Sequence, residues 1–102
     1  MDIKQIKEKV RQESYLYSHH ADLERQADEL TFAEIEIALL NGEILEQYLD
    51  DIRGESCLIL GFSNETAVHI VCGWRGDKIV IITVYIPKPP KFIDPKTRGS
   101  HE

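Results

Sequence analysis

Apolar positions in the first forty residues recur at helical spacing, whereas those in the second half alternate or run continuously, as strands do. Ile3, Ile6 and Val10 fall at i, i+3 and i+7 with Lys and Glu between them, which predicts a helix over residues 2–14. Tyr15-Leu16-Tyr17 follows as a short apolar hinge or strand. Ser18 is placed to cap a second helix over residues 19–29, whose apolar members are Ala21, Leu23 and Ala27. Thr31 and Glu34 form a capping box before the stripe Phe32, Ile35, Ala38 and Leu39, and Asn41-Gly42 is the expected left-handed stop.

Beyond Gly42 the period changes to two. Strands are predicted over residues 43–48, 56–62, 66–74 and 78–86, joined by Asp50 to Gly54, by Ser63-Asn64-Glu65 and by Arg75-Gly76-Asp77. The last run ends in PKPPKFIDPKTRGSHE, which holds all four prolines of the chain and shows no period. The expectation is one α+β domain over residues 1–87, with N-terminal helices packed on one face of a four-stranded antiparallel sheet. Residues 88–102 are expected to form a flexible tail.

Polar residues inside the strand runs raise the question of chemistry. His69, Thr83 and Tyr85 interrupt otherwise β-branched segments. If the last two strands are joined by the three-residue loop 75–77, His69 lies opposite Thr83 and Tyr85 is its diagonal neighbour on the same face. A two-residue loop would shift the register by one and send His69 to the other face.

Composition narrows the classes. A chain of 102 residues supports one modest core, and no apolar run reaches the roughly 20 residues that span a bilayer, so a membrane helix is excluded. The N-terminus lacks the apolar core of a signal peptide, which points to the cytoplasm. Cys57 and Cys72 have no second Cys or His at ligand spacing, so they read as buried, reduced, small hydrophobes rather than zinc ligands. Net charge is −6, but unevenly spread: residues 1–52 hold 5 Lys/Arg and 13 Asp/Glu, and residues 53–102 hold 7 and 5. Any nucleic-acid contact is therefore expected from the C-terminal half, where Lys88, Lys91, Lys96 and Arg98 surround Phe92. No phosphate-binding glycine loop, nucleophile elbow, metal constellation or carboxylate pair stands out, so neither cofactor nor metal is expected.

The order of several landmarks resembles a known family. These are His20-Ala21, the Leu30-Thr31 step opening the third helix, Gly42-Glu43-Ile44, Asp50-Asp51, the strand around His69, and Ile82-Thr83-Val84-Tyr85. Together they are similar to domain-of-unknown-function family 4258, over about residues 17 to 88. The resemblance implies a RelE/ParE-like toxin fold, a toxin–antitoxin system, and metal-independent ribonuclease activity. It also implies RNA and an antitoxin of zinc-finger or helix-turn-helix type as partners. The helix after the His-Ala pair departs from the basic pattern of such relatives, since ERQADEL offers only Arg25.

Cleaving RNA without a metal needs a base for the 2′-hydroxyl, a cation for the phosphorane and an acid for the leaving 5′-oxygen. His20, near a helix N-terminus, is a candidate base or acid, or else an exposed polar residue. Arg25 is a candidate phosphate ligand, or else a surface partner of Glu29 four residues on. His69 is either catalytic or a core histidine satisfied by Thr83 or Tyr85. Tyr85 is a candidate acid or stacking platform, and Thr83 completes the set. The rival expectation is a protein-binding module, a degenerate toxin without enzymatic activity.

Overall fold

The computed structural model describes residues 1–52, 54–89 and 92–99, with backbone alone at 92 and 93. α1 spans Ile3–Arg11, capped by the Asp2 carboxylate on the Lys4 amide, and buries Ile6 and Val10. It is shorter than the expected 2–14 because Glu13 turns left-handed at φ 56. β1 is Tyr15–Tyr17. α2 spans His19–Ala27 under the Ser18 cap, and Glu29 at φ 57 ends that segment in the same way. α3 spans Phe32–Leu40 with its capping box complete: Glu34 N donates to Thr31 Oγ1 at 3.1 Å, and Thr31 N donates to Glu34 Oε1 at 2.9 Å.

The strands are β2 Glu43–Tyr48, β3 Ser56–Ser63, β4 Thr66–Arg75 and β5 Lys78–Tyr85. The sheet has five strands, not four, in the order β1-β5-β4-β3-β2. It is mixed, because β1 joins β5 in parallel through Tyr15↔Ile79, Leu16↔Val80 and Tyr17↔Ile81, while the other neighbours are antiparallel. Parallel pairing needs a long crossover, which two helices and three strands provide here. Past Tyr17 the chain turns into α2, and carboxylates from α2 and from its C-cap, Asp28, serve the rest of that edge. Val84 N donates to Glu24 Oε1 at 3.1 Å and Ile86 N to Asp28 Oδ2 at 2.8 Å. Two side chains thus stand where a strand would have paired, which also closes the edge to other chains.

The core lies between the helices and one sheet face. Ile6, Val10, Ala21, Ile35, Ala38 and Leu39 meet Cys57, Ile59, Val68, Ile70, Cys72, Ile79, Ile81 and Val84. Both cysteines are buried free thiols, their sulfurs 3.9 Å apart across β3 and β4. α3 rests on β3 at Gly61, where an added methyl would fall 1.8 Å from the Ala38 carbonyl oxygen. The expected left-handed stop after α3 is not formed, since Asn41 sits at φ −104 and Gly42 is not among the positive-φ residues. The Asn41 side chain instead ties the helix end to β3, accepting from Phe62 N at 2.9 Å and donating to Phe62 O at 2.7 Å.

In the segment expected to be a tail, β6 (Phe92–Asp94) and β7 (Thr97–Arg98) form a second, two-stranded sheet. Lys91, named among the basic residues, and residues 100–102 lie outside the described residues, as does the side chain of Phe92.

Candidate active face of the sheet

Two irregularities decide which side chains share the face opposite the helices. The β4–β5 turn contains two residues, Gly76 and Asp77, with Arg75 paired to Lys78. The expected three-residue loop is therefore absent, and an unbroken ladder would have put His69 on the wrong side of Tyr85. A bulge corrects the parity: Cys72 pairs with Ile81 but Val71 with Thr83, so Ile82 is skipped. His69 then lies directly opposite Tyr85, and Thr83 opposite Val71 on that same face. In β2 a second bulge skips Leu45, so that Glu46 pairs with Leu58 and Tyr48 with Ser56. This adds a carboxylate and a phenol to the face that carries His69.

His69 is fully buried. Its Nε2 lies 2.6 Å from the Pro95 carbonyl oxygen and its Nδ1 3.3 Å from Tyr85 Oη. A carbonyl only accepts, so Nε2 carries the proton, and in the neutral ring Nδ1 accepts from the Tyr85 hydroxyl. The two rings meet edge to face at a centroid distance of 5.4 Å. Beside them Arg98 donates from Nε and Nη2 to both oxygens of Glu46, at 2.8 and 2.7 Å. Tyr48 donates its hydroxyl to Glu46 Oε1 at 2.5 Å, and Arg98 Nη2 reaches Tyr48 Oη at 3.4 Å. One face thus gathers an imidazole, two phenols, a carboxylate and a guanidinium, with Thr83 half-buried next to them.

His20 and Arg25 are not part of this group. Both stand on α2, at the β5 edge on the helical side. His20 is exposed, with Nε2 3.3 Å from Glu24 Oε1. Arg25 does not pair with Glu29, because the left-handed turn there takes the chain off the helix. It bonds Asp22 Oδ1 at 2.8 Å and the Leu30 carbonyl at 3.3 Å, and its guanidinium lies 3.8 Å over the Phe32 ring. A separate cleft of about 250 Å³, between Glu55, Trp74, Arg75 and Ile82, lies at the other end of the sheet and does not touch His69. Among the described residues no three His, Cys, Asp or Glu converge as a metal site, and no helix is long and apolar enough to cross a membrane.

The model of the family described as domain of unknown function (DUF4258) matches residues 17–86. The chain belongs to the DUF4258 family. No curated protein and no solved structure matches it. The family match contains His69, Thr83, Tyr85, Glu46 and Tyr48, whereas Arg98 and the hairpin that carries it fall outside.

Glu46 and Tyr48 in this DUF4258 protein are the residues that sequence reasoning missed. Their signal is the two-residue spacing in EILEQY, which places both on one side of a strand. Arg98 was visible only as one of several tail cations. The Arg98 guanidinium holds the Glu46 carboxyl down at about 2, despite burial, with the Tyr48 hydroxyl assisting. Burial and the same carboxylate push Tyr48 up to about 12, and burial raises Tyr85. Both phenols are therefore neutral donors at physiological pH.

A depressed carboxyl pKa stabilises the fold above the unfolded value of 4.5 and loses that contribution as pH falls toward 2. The pair sits at a partly solvated rim, so screening reduces the effect to about 1 kcal/mol. Urea unfolding of the wild type is expected to weaken by that amount between those pH values. The Glu46→Gln variant should be less stable at pH 7 and lack this component of the acid dependence.

Proposed function

We propose that this face is the catalytic surface of a metal-independent ribonuclease, of the toxin type that RelE/ParE-like proteins represent. The observation that carries the reading is the shared placement of His69, Tyr85, Glu46 and Arg98. These supply an acid, its orienting partner, a base and a cation in two hydrogen-bonded groups on one face. In this reading Glu46 takes the proton of the RNA 2′-hydroxyl, which attacks the adjacent phosphorus. Arg98 offsets the growing phosphorane charge, and the 5′-oxygen leaves with a proton from protonated His69. Tyr85 fixes the ring, and Thr83 offers a hydroxyl to the phosphate. Once Arg98 turns to the phosphate, Glu46 loses the partner that depresses its pKa and becomes a stronger base. His20 and Arg25 take no part in proton transfer here.

A mixed-sequence RNA incubated with the protein in EDTA should yield 2′,3′-cyclic phosphate and 5′-hydroxyl ends, while the all-deoxy oligonucleotide stays intact. Intact RNA, with and without ribosomes, refutes the reading. The second reading is a binding module that acts through an antitoxin-like protein of zinc-finger or helix-turn-helix type. The complete burial of His69 and the acidic first half of the chain favour it. A partner that still binds after His69, Thr83 and Tyr85 are replaced, by a protein without RNA cleavage, would establish that alternative.

A further inference from the structure

What covers His69 on its outer side is the β6–β7 hairpin, and the described contacts that hold it there are polar. His69 Nε2 meets Pro95 O, Arg98 grips Glu46 and touches Tyr48, and Lys96 Nζ lies 2.9 Å from Glu43 Oε1. The hairpin's own turn is supported from within: Asp94 Oδ1 accepts from Lys96 N and Thr97 N, both at 2.9 Å. It can leave the sheet as a unit without unmaking itself. The link from β5 contains Pro87, Pro89 and Pro90, residues that have no amide hydrogen to bind it to a neighbour. The hairpin and its link lie beyond the residues matched to the family, whereas the side chains it meets on the sheet lie within them.

The identity of these contacts is informative. A carbonyl oxygen accepts from the imidazole N–H, and a carboxylate occupies the fork of a guanidinium. A phosphodiester presents the same two chemistries, an oxygen that accepts a proton and an anion that fits an arginine fork. We infer that the β6–β7 hairpin is a gate that closes the site by imitating its substrate, with Pro95 O in place of the leaving oxygen and Glu46 in place of the phosphate on Arg98. RNA opens the gate by taking both places, so each hydrogen bond is exchanged rather than lost. The identity of the displacing ligand rests on the ribonuclease reading, but the closure itself does not.

The test uses the full chain and diethyl pyrocarbonate, with the modification of each histidine followed by mass spectrometry. His19 and His20, both exposed, are internal standards. In the wild type His69 is expected to react at least about tenfold more slowly than either. Glu46→Gln and Arg98→Ala should each raise the His69 rate about tenfold, the effect of losing a charge-assisted pair, and leave the standards unchanged. Arg98 lies on the hairpin, so that variant leaves the five-stranded sheet intact, and circular dichroism checks the fold of both. Wild-type His69 reacting as fast as His20, or remaining protected in both variants, overturns the gate. Fluorescence anisotropy with a 2′-O-methyl RNA oligonucleotide separates the two claims. Unmasking without RNA binding upholds the gate and removes the RNA reading, whereas RNA binding without unmasking overturns the gate alone.

Discussion

The Gly61→Ala variant is expected to unfold at much lower urea than the wild type, with a loss of about 3 kcal/mol or more. The reason is a backbone contact. A methyl at position 61 would lie 1.8 Å from Ala38 O, 2.5 Å from Ala38 C and 2.8 Å from Ala38 Cα. None of those atoms belongs to a side chain that can rotate away, so α3 and β3 must separate along their shared contact. That separation opens voids around Ile35, Leu39 and Ile59, which are fully buried there. Gly73→Ala is the internal control, because its methyl would meet Glu55 O at 3.2 Å and the Ile82 side chain at 3.3 Å. Small adjustments relieve those contacts, and the expected loss is under about 1 kcal/mol. Equal losses at the two positions would show that the close approach of α3 to β3 is not what Gly61 serves.

The elements with local signals were legible in the sequence. Thr31 and Glu34 cap α3 as their spacing demands, and β2 through β5 follow the alternation and turn residues within one or two positions. β1 was harder, because three residues carry no period and their partner, Ile79 to Ile81, lies more than sixty positions away. The family was legible as well, from the order of short motifs rather than from any one of them. The shared face of His69, Thr83 and Tyr85 follows from the sequence by a route that the fold does not take, and the partner directly opposite His69 is Tyr85 rather than the expected Thr83. A three-residue loop predicts that parity, whereas the loop is a residue shorter and the bulge at Ile82 makes up the difference. Bulges depend on how a strand bends over its neighbours, and nothing in IITVY announces one. The Glu46–Arg98 pair joins residues fifty-two apart. Its visibility required knowing that a proline-rich segment returns to the sheet.

Replacing His69 by leucine distinguishes a histidine kept for chemistry from one kept for the core. The imidazole is fully buried and makes two hydrogen bonds, so removing it alone leaves Tyr85 Oη and Pro95 O without that partner. Both lie on partly exposed residues and can turn to water, so His69→Leu in combination with Tyr85→Phe should lie within about 1 kcal/mol of wild-type stability. An apolar pair of similar volume also packs well against Leu58 and Leu60, which flank this face from β3. Tyr85→Phe alone should be the less favourable change, because it leaves Nδ1 facing a ring with no donor, at about 1–2 kcal/mol. If the site cuts RNA, the double variant loses about 10²- to 10⁴-fold in cleavage while keeping its fold. That outcome would mean the buried imidazole is maintained despite a stable apolar alternative, as expected of a functional group. A double variant that unfolds early would place His69 among the structural residues, and one that is stable and still cleaves RNA would remove it from the mechanism.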